Sequence, residues 1–370
     1  MTTLIRPWTG SVDLRREVSV VSPAPRDVWR QALAADPSAL PSQTPEWTDW
    51  LCRTRGFTDA SRLYEFADGR RLLLPLLART AAGVRLTEES MPYGFGYGGP
   101  LVMGGEPSPD QARAVLDDLA RRPVLRSSLA PLPRASAKWS AIAPPGVVRV
   151  PYLAHVLDLE GGFEQVRSTR FRSGAKRNIR RALKQPLEVR SGAGSGVVEA
   201  FAELNRRAVE RWARQRGQPL WLARLVDRQR DRVGQLASAI DALGPMVRAW
   251  TAYLHGEPVA VNVALHFGAQ AYGWLSAVDA DLARRTQAGA LLLSLELEEA
   301  CASGVRWFQL GESDPGSGVA QYKELYGGVP VSWSALRFER LPMTAADHRL
   351  RAVAGRLASL GRGRAGAVDR

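Results

Sequence analysis

The stretch FRSGAKRNIRRALKQ, residues 171–185, carries six cationic side chains in fifteen positions: Arg172, Lys176, Arg177, Arg180, Arg181 and Lys184. Good helix formers dominate it and predict a helix. On that helix Lys176, Arg180 and Lys184 share one face at a spacing of four, with Arg177 and Arg181 on an adjacent face. Like charges so spaced repel by roughly a few tenths of a kcal/mol per pair, so the cluster favours a counter-anion. A phosphate-bearing ligand or a nucleic acid would supply one. Acidic side chains elsewhere in the fold would too, and a plain solvated helix face needs none. The four histidines, His155, His255, His266 and His348, stand at no metal-ligand spacing, and no metal site is expected.

The whole chain shares the charge bias. Fifty Lys and Arg against 37 Asp and Glu give a net charge of +13, which favours an anionic partner: RNA, a nucleotide, a phosphorylated lipid or an acidic membrane surface. At 370 residues, two domains of about 170 residues each are the natural expectation. A hydrophobic content of 45% is that of a globular chain, and no apolar run approaches the roughly 20 residues of a membrane span. The opening MTTLIRPWTGSVDLRR lacks the apolar stretch of a signal peptide. Cys52 and Cys301 show no pairing pattern, which predicts buried thiols in a reducing cytoplasm.

The elements that must position the cationic stretch follow from periodicity and punctuation. In the first half SVDLRREVSV alternates as a strand, while RDVWRQALAA and PEWTDWLCRTRGF have helical spacing. SRLYEFADGRRLLLPLLART reads as two strands around Ala67-Asp68-Gly69. Ser108 and Pro109 open a helix, and VVRVPYLAHVLDL closes the half as a strand. The second half predicts the cationic helix, then a long helix near residues 196–216 and a helical segment near 220–243. A three-strand meander over residues 246–278 follows. TQAGALLLSLELEEACASG is an apolar-faced helix ended by Gly304, VRWFQLGE a buried strand, GVAQYKELYGG a short helix and VPVSWSALRFERL a last strand. The predicted division is 1–160, 161–343 and a basic tail, 344–370.

AKRNIRRALK, HGEPVAVNVALHFGAQAYGWLSAVD, GALLLSLELEEACASGVRWFQLGE and GVAQYKELYGG stand in the order seen in the FemAB/CelD-type proteins, which the chain resembles over roughly residues 25–340. SQTPEWTDWLCRTRGF and MPYGFGYGGPLV resemble that family's first domain. The resemblance implies an α/β (α+β) fold of two tandem GNAT-like domains, each a mixed, largely antiparallel sheet flanked by helices. It also implies a cytoplasmic N-acyltransferase, with the donor on the second domain and the acceptor between the two.

Such chemistry needs a deprotonated amine, a polarised carbonyl and close approach, and no covalent intermediate. Lys323 in AQYKELYGG aligns with the lysine that Fem-type enzymes place near the reacting end of the donor, where it would steady a developing oxyanion. Its neighbour Tyr322 would serve as a proton donor or merely pack. Glu312 and Asp279, each at a strand end, are the candidate bases or else loop caps. For the donor, Lys176, Arg177, Arg180, Arg284, Arg285 and Gly289 are the phosphate-binding candidates. Thr286-Gln287-Ala288-Gly289-Ala290-Leu291 keeps one glycine of the coenzyme A loop. Tyr93 and Tyr97 in YGFGYGG, with Arg53 and Arg55, are the acceptor-site candidates.

No bound cofactor is expected. Aminoacyl-tRNA is the expected co-substrate, with acyl-CoA as the alternative. The acceptor is expected to be a small-molecule or lipid-linked amine, and the basic tail is a candidate for peripheral membrane contact. A non-catalytic RNA- or membrane-binding protein on the same scaffold is the third reading.

Overall fold

The computed structural model describes residues 18–347 and residue 349. Most of the basic tail, and the first part of the strand read from SVDLRREVSV, lie outside the described residues. Two sheets carry the fold. Eleven strands form one sheet in the order Leu187–Ser191, Val247–Leu254, Glu257–Phe267, Gln270–Val278, Trp307–Glu312, Val148–Asp158, Val329–Glu339, Arg126–Leu129, Val84–Glu89, Leu77–Ala81, Thr58–Asp59. A four-stranded sheet combines Val18–Val21, Arg62–Phe66, Arg71–Leu74 and Leu101–Met103.

The larger sheet runs through both halves of the chain. Val148–Asp158 lies between Trp307–Glu312 and Val329–Glu339, antiparallel to both. Val329–Glu339 in turn pairs with Arg126–Leu129 of the first half. Pairing is antiparallel except at two places. Gln270–Tyr272 runs parallel to Trp307–Gln309, and Thr87–Glu89 parallel to Arg126–Ser128. The helices Ala288–Ala302 and Pro109–Arg121 stand between the paired strands in sequence. The same strand–helix–strand unit therefore occurs once in each half.

Helix packing joins the halves as well. Pro45–Arg55 lies against Arg232–Leu243, and Trp50 Nε1 donates to Ser238 Oγ at 3.0 Å. Trp47 and Trp50 meet Trp274 edge-on, with ring centroids 5.5 and 5.7 Å apart, a favoured aromatic geometry. The helical segment predicted over 220–243 is broken. Leu220–Arg230 and Arg232–Leu243 are separate helices because Asp231 takes a positive φ of 49° and its carboxylate caps the second by accepting from Gly234 N.

Three local features set the ground for the site. The parallel pairing of Gln270–Val278 and Trp307–Glu312 ends at Tyr272 and Gln309, although both strands run on. Beyond that point their backbones are not paired with each other. Gly311 sits at an irregularity in the pairing with Val148–Asp158, at φ 76°, a conformation that glycine adopts without a Cβ penalty. The helix Gly318–Leu325 is opened by Ser317, whose hydroxyl accepts from Ala320 N. Its end is fixed by Gly328, where a Cβ would lie 2.7 Å from Leu310 Cδ1 and 2.9 Å from the Lys323 carbonyl oxygen. Gly328 thus lets the chain turn tightly against the end of the Lys323 helix.

Candidate active site

Lys323 is only 9% exposed. Its ammonium donates to the carbonyl oxygens of Gly311 at 3.0 Å and Glu312 at 2.7 Å. An ammonium has three donors, so one remains for a ligand. Burial lowers the Lys323 pKa to about 8, against the opposing pull of Glu312. Burial likewise pushes the Glu312 carboxyl up to about 7, with Lys323 acting in the other direction. A carboxyl and an ammonium are therefore both poised close to neutral pH, as general catalysis favours.

Two cavities adjoin this pair. One, of about 400 Å³, opens between the diverging strands and is bounded by Gly273, Phe308, Leu310, Gly289, Tyr322 and Lys323. Asn178 of the cationic helix also borders it. The other, about 40 Å³, is formed by Tyr93, Gly94, Gly96, Tyr152, Trp333 and Glu312. Tyr93, Tyr152 and Trp333 stack in series, with centroids 5.5 and 4.9 Å apart. Lys323 and Glu312, linked through the Glu312 carbonyl, thus stand where the two cavities approach each other. The larger has room for an extended group, and the smaller presents aromatic faces.

Of the two helices in these strand–helix–strand units, the one in the second half has the more open start. Ala288–Ala302 begins with small residues, and Gln287 before it makes no side-chain cap. Its counterpart Pro109–Arg121 has a closed capping box between Ser108 and Gln111, and proline at its first position. Those groups occupy the N–H donors that a phosphate would use.

The expected residues divide clearly. The structure brings Lys323, Glu312, Tyr322, Gly289 and Tyr93 together. Tyr322 donates from its hydroxyl to the Gly289 carbonyl oxygen at 3.0 Å, fixing the Lys323 helix to the start of the donor helix. Arg284 borders the larger cavity and pairs with Asp281, while Arg285 is exposed one residue beyond.

The cationic helix is observed as Ser173–Ala182. Ala175, Ile179 and Ala182 face the core, and Arg172 N donates to Leu325 O at the end of the Lys323 helix. Arg172 pairs with Glu324, but none of Lys176, Arg177, Arg180, Arg181 and Lys184 takes part in an ion pair among the described residues. Lys176 donates to the Ser168 carbonyl and Arg180 to that of Lys176. Among the described residues, therefore, Arg172 alone of this cluster has a counter-anion.

Four expectations find other surroundings. Asp279 is not beside Lys323; it caps the helix Ala280–Thr286, accepting from Asp281 N and Leu282 N, and pairs with Arg207 at 3.3 Å. Tyr97 is buried between Tyr272 and Trp333 rather than presented to solvent. Its hydroxyl has no hydrogen-bond partner among the described residues and lies within electrostatic reach of Glu312. Arg55 donates to the Arg230 carbonyl, and Arg53 is exposed in the last turn of its helix; neither borders the two cavities. The thiols of Cys52 and Cys301 are free and partly buried, and burial raises Cys52 to about 11, which leaves it unreactive.

The sequence reading missed two groups. His155 is fully buried beside Gly311, with Nδ1 3.1 Å from Ser313 Oγ and Nε2 3.7 Å from Glu324 Oε1. Burial, then the nearby Lys323 charge, lowers its pKa, so it braces the Glu312 loop as a neutral ring. Glu296, 3% exposed, borders the larger cavity. The available signal was its position: Gly289, Leu293, Glu296 and Ala300 follow one helical stripe, and Glu296 is its one acidic member.

Residues 169–324 match the family described as acetyltransferase (GNAT) domain. Among solved structures, FemX has a similar fold, with a TM-score of 0.60 at 10% identity, covering 87% of this chain and 97% of that one. A tandem GNAT protein from the clavulanic acid biosynthesis pathway gives 0.50 at 15% identity, covering 87% and 98%. A conserved protein of unknown function from Bacteroides thetaiotaomicron VPI-5482 gives 0.51 at 12%, covering 85% and 97%. No curated protein matches the sequence. Residues 169–324 thus form a GNAT acetyltransferase-type domain, and the chain as a whole has a tandem fold of the kind seen in FemX. No helix among the described residues is long and apolar enough to cross a membrane.

The two shifted groups give a pH expectation. A Glu312 base must be ionised, so kcat/KM rises as pH climbs through about 7. A Lys323 ammonium must be charged, so kcat/KM falls as pH passes about 8. In Glu312→Gln the acidic limb should vanish while the alkaline limb stays. A pH–rate profile that kept both limbs in this variant would remove Glu312 as the base.

Proposed function

We propose that the enzyme transfers an aminoacyl group from aminoacyl-tRNA to an amine of a cell-wall precursor or small metabolite. The observation that carries this reading is the cationic helix beside the larger cavity: Lys176, Arg177, Arg180 and Arg181 on it, and Lys184 just beyond its end, lack an acidic partner among the described residues. In this scheme the tRNA phosphates lie along Lys176, Arg177 and Arg180, and the aminoacyl end enters between the diverging strands. The acceptor amine lies against Tyr93 and Tyr152 and gives its proton to Glu312. It attacks the ester carbonyl, and the remaining Lys323 donor steadies the oxyanion. As the intermediate collapses, the ribose hydroxyl departs with the proton held by Glu312, leaving an amide.

Acyl-CoA is the second reading, favoured by the start of Ala288–Ala302, where small residues open the helix, Gln287 makes no side-chain cap and Thr286 Oγ1 takes only the Ala288 N–H. Ribonuclease separates the two. On the tRNA reading, ribonuclease abolishes transfer and removal of coenzyme A does nothing. Ribonuclease-resistant transfer that requires acetyl-CoA would put the second reading in place of the first.

A further inference from the structure

The wall of the donor cavity holds a polar pair that neither phosphate binding nor the reaction itself requires. Glu296 lies seven residues beyond Gly289 on the donor helix, among the buried side chains Leu292, Leu293 and Leu297. Its Oε2 accepts from Asn262 Nδ2 at 2.9 Å, and both residues border the cavity. The surrounding wall is apolar, with Val263, Leu293, Phe308 and Leu310. A carboxyl group in such a place is costly unless a partner uses it, and a leucine would pack the same stripe without that cost. Among the described residues no cation pairs with Glu296; Asn262 is its one hydrogen-bonded side chain. Tyr322, adjacent to Lys323, lies within electrostatic reach of it, which ties the pair to the reacting end of the cavity.

A plain acyl chain has no donor to offer a carboxyl. An acyl group bearing an ammonium has three, and a carboxylate binds them with charge assistance. We propose that Glu296 and Asn262 form the specificity site for an amino group on the transferred acyl chain, so that the cavity selects aminoacyl over simple acyl groups. The inference rests on the reading of this cavity as the donor site. The amino group enters as the ammonium, Glu296 meets it as the carboxylate, and the Asn262 amide holds the carboxylate in place. Burial raises the Glu296 carboxyl to about 8, so it gives its proton to solvent as the ammonium binds.

Amino-acid amides and their N-acetyl derivatives serve as probes that need no turnover. A panel of alaninamide, serinamide and lysinamide, each with its N-acetyl form, is titrated by calorimetry against the wild type, Glu296→Gln and Glu296→Met. At least one free amide should bind the wild type about tenfold or more tightly than its acetylated form. Both variants should lose that preference while still binding the acetylated form as the wild type does. Circular dichroism melts confirm that the variants are folded, and Glu296→Gln keeps the side-chain size. A wild type that binds both forms equally, or binds no free amide, overturns the proposal. So does a preference that survives in Glu296→Gln. The ribonuclease experiment reports separately. A wild type without the amide preference but with tRNA-dependent transfer would sink this inference alone. A wild-type preference that both variants lose, with coenzyme A as the carrier, would sink only the tRNA reading.

Discussion

Replacing Lys323 with alanine is expected to lower kcat by about 10²–10³-fold, the cost typical of removing one oxyanion donor. The side chain is nearly buried and two of its three donors are fixed on the Gly311 and Glu312 carbonyls, so its position is set before any ligand arrives. The substitution also leaves those carbonyls without their partner, at a cost of about 1–3 kcal/mol. The protein should therefore remain folded with a lowered melting temperature, and KM for the donor should change much less than kcat. Steady-state kinetics beside a circular dichroism melt separate these effects. A variant with near-normal turnover would place the chemistry elsewhere.

The second large effect concerns the cationic helix. Changing Lys176, Arg177 and Arg180 together to glutamine should flatten the salt dependence of tRNA binding. Each neutralised phosphate contributes about 0.7–0.9 to the slope of log K against log salt, so three lost contacts remove roughly 2 to 3. Stability should barely change, because exposed charges are worth about 0–1 kcal/mol each and none of these three is in an ion pair among the described residues. A salt titration and a thermal melt on the same two proteins decide the matter. An unchanged slope with a lowered melting temperature would make the helix structural.

What the sequence revealed was local. Terminal glycines, Ser108 before Pro109 and the apolar stripe of Ala288–Ala302 all mark elements that the structure contains. The resemblance singled out Lys323, but only the fold shows how it is held: its ammonium meets the Gly311 and Glu312 carbonyls, and the tight approach of Gly328 to Leu310 and the Lys323 carbonyl cannot be read from spacing. Long-range pairing was illegible. Nothing near His155 indicates that it meets Ser313, 158 residues later, or that its strand enters the middle of the shared sheet. Tyr93 and Tyr97 looked equivalent, yet Gly94 and Gly96, at φ 86° and 105°, turn the loop so that one ring is 69% exposed and the other buried. Asp279 was read as a base or a cap, and the structure makes it the cap. It directly precedes the helix Ala280–Thr286, and an aspartate in that position is a cap before it is a base.

The most direct test of the central claim follows the acyl group itself. The protein is incubated with tRNA carrying a labelled aminoacyl group and with a pool of candidate amines, and the mixture is then treated with mild base. An ester to tRNA hydrolyses under that treatment, whereas an amide survives. The expected result is label in a base-stable product that forms with the wild type and not with Lys323→Ala. Label that stays base-labile with every amine, or a base-stable product formed equally by the Lys323 variant, would contradict amide-forming transfer at this site.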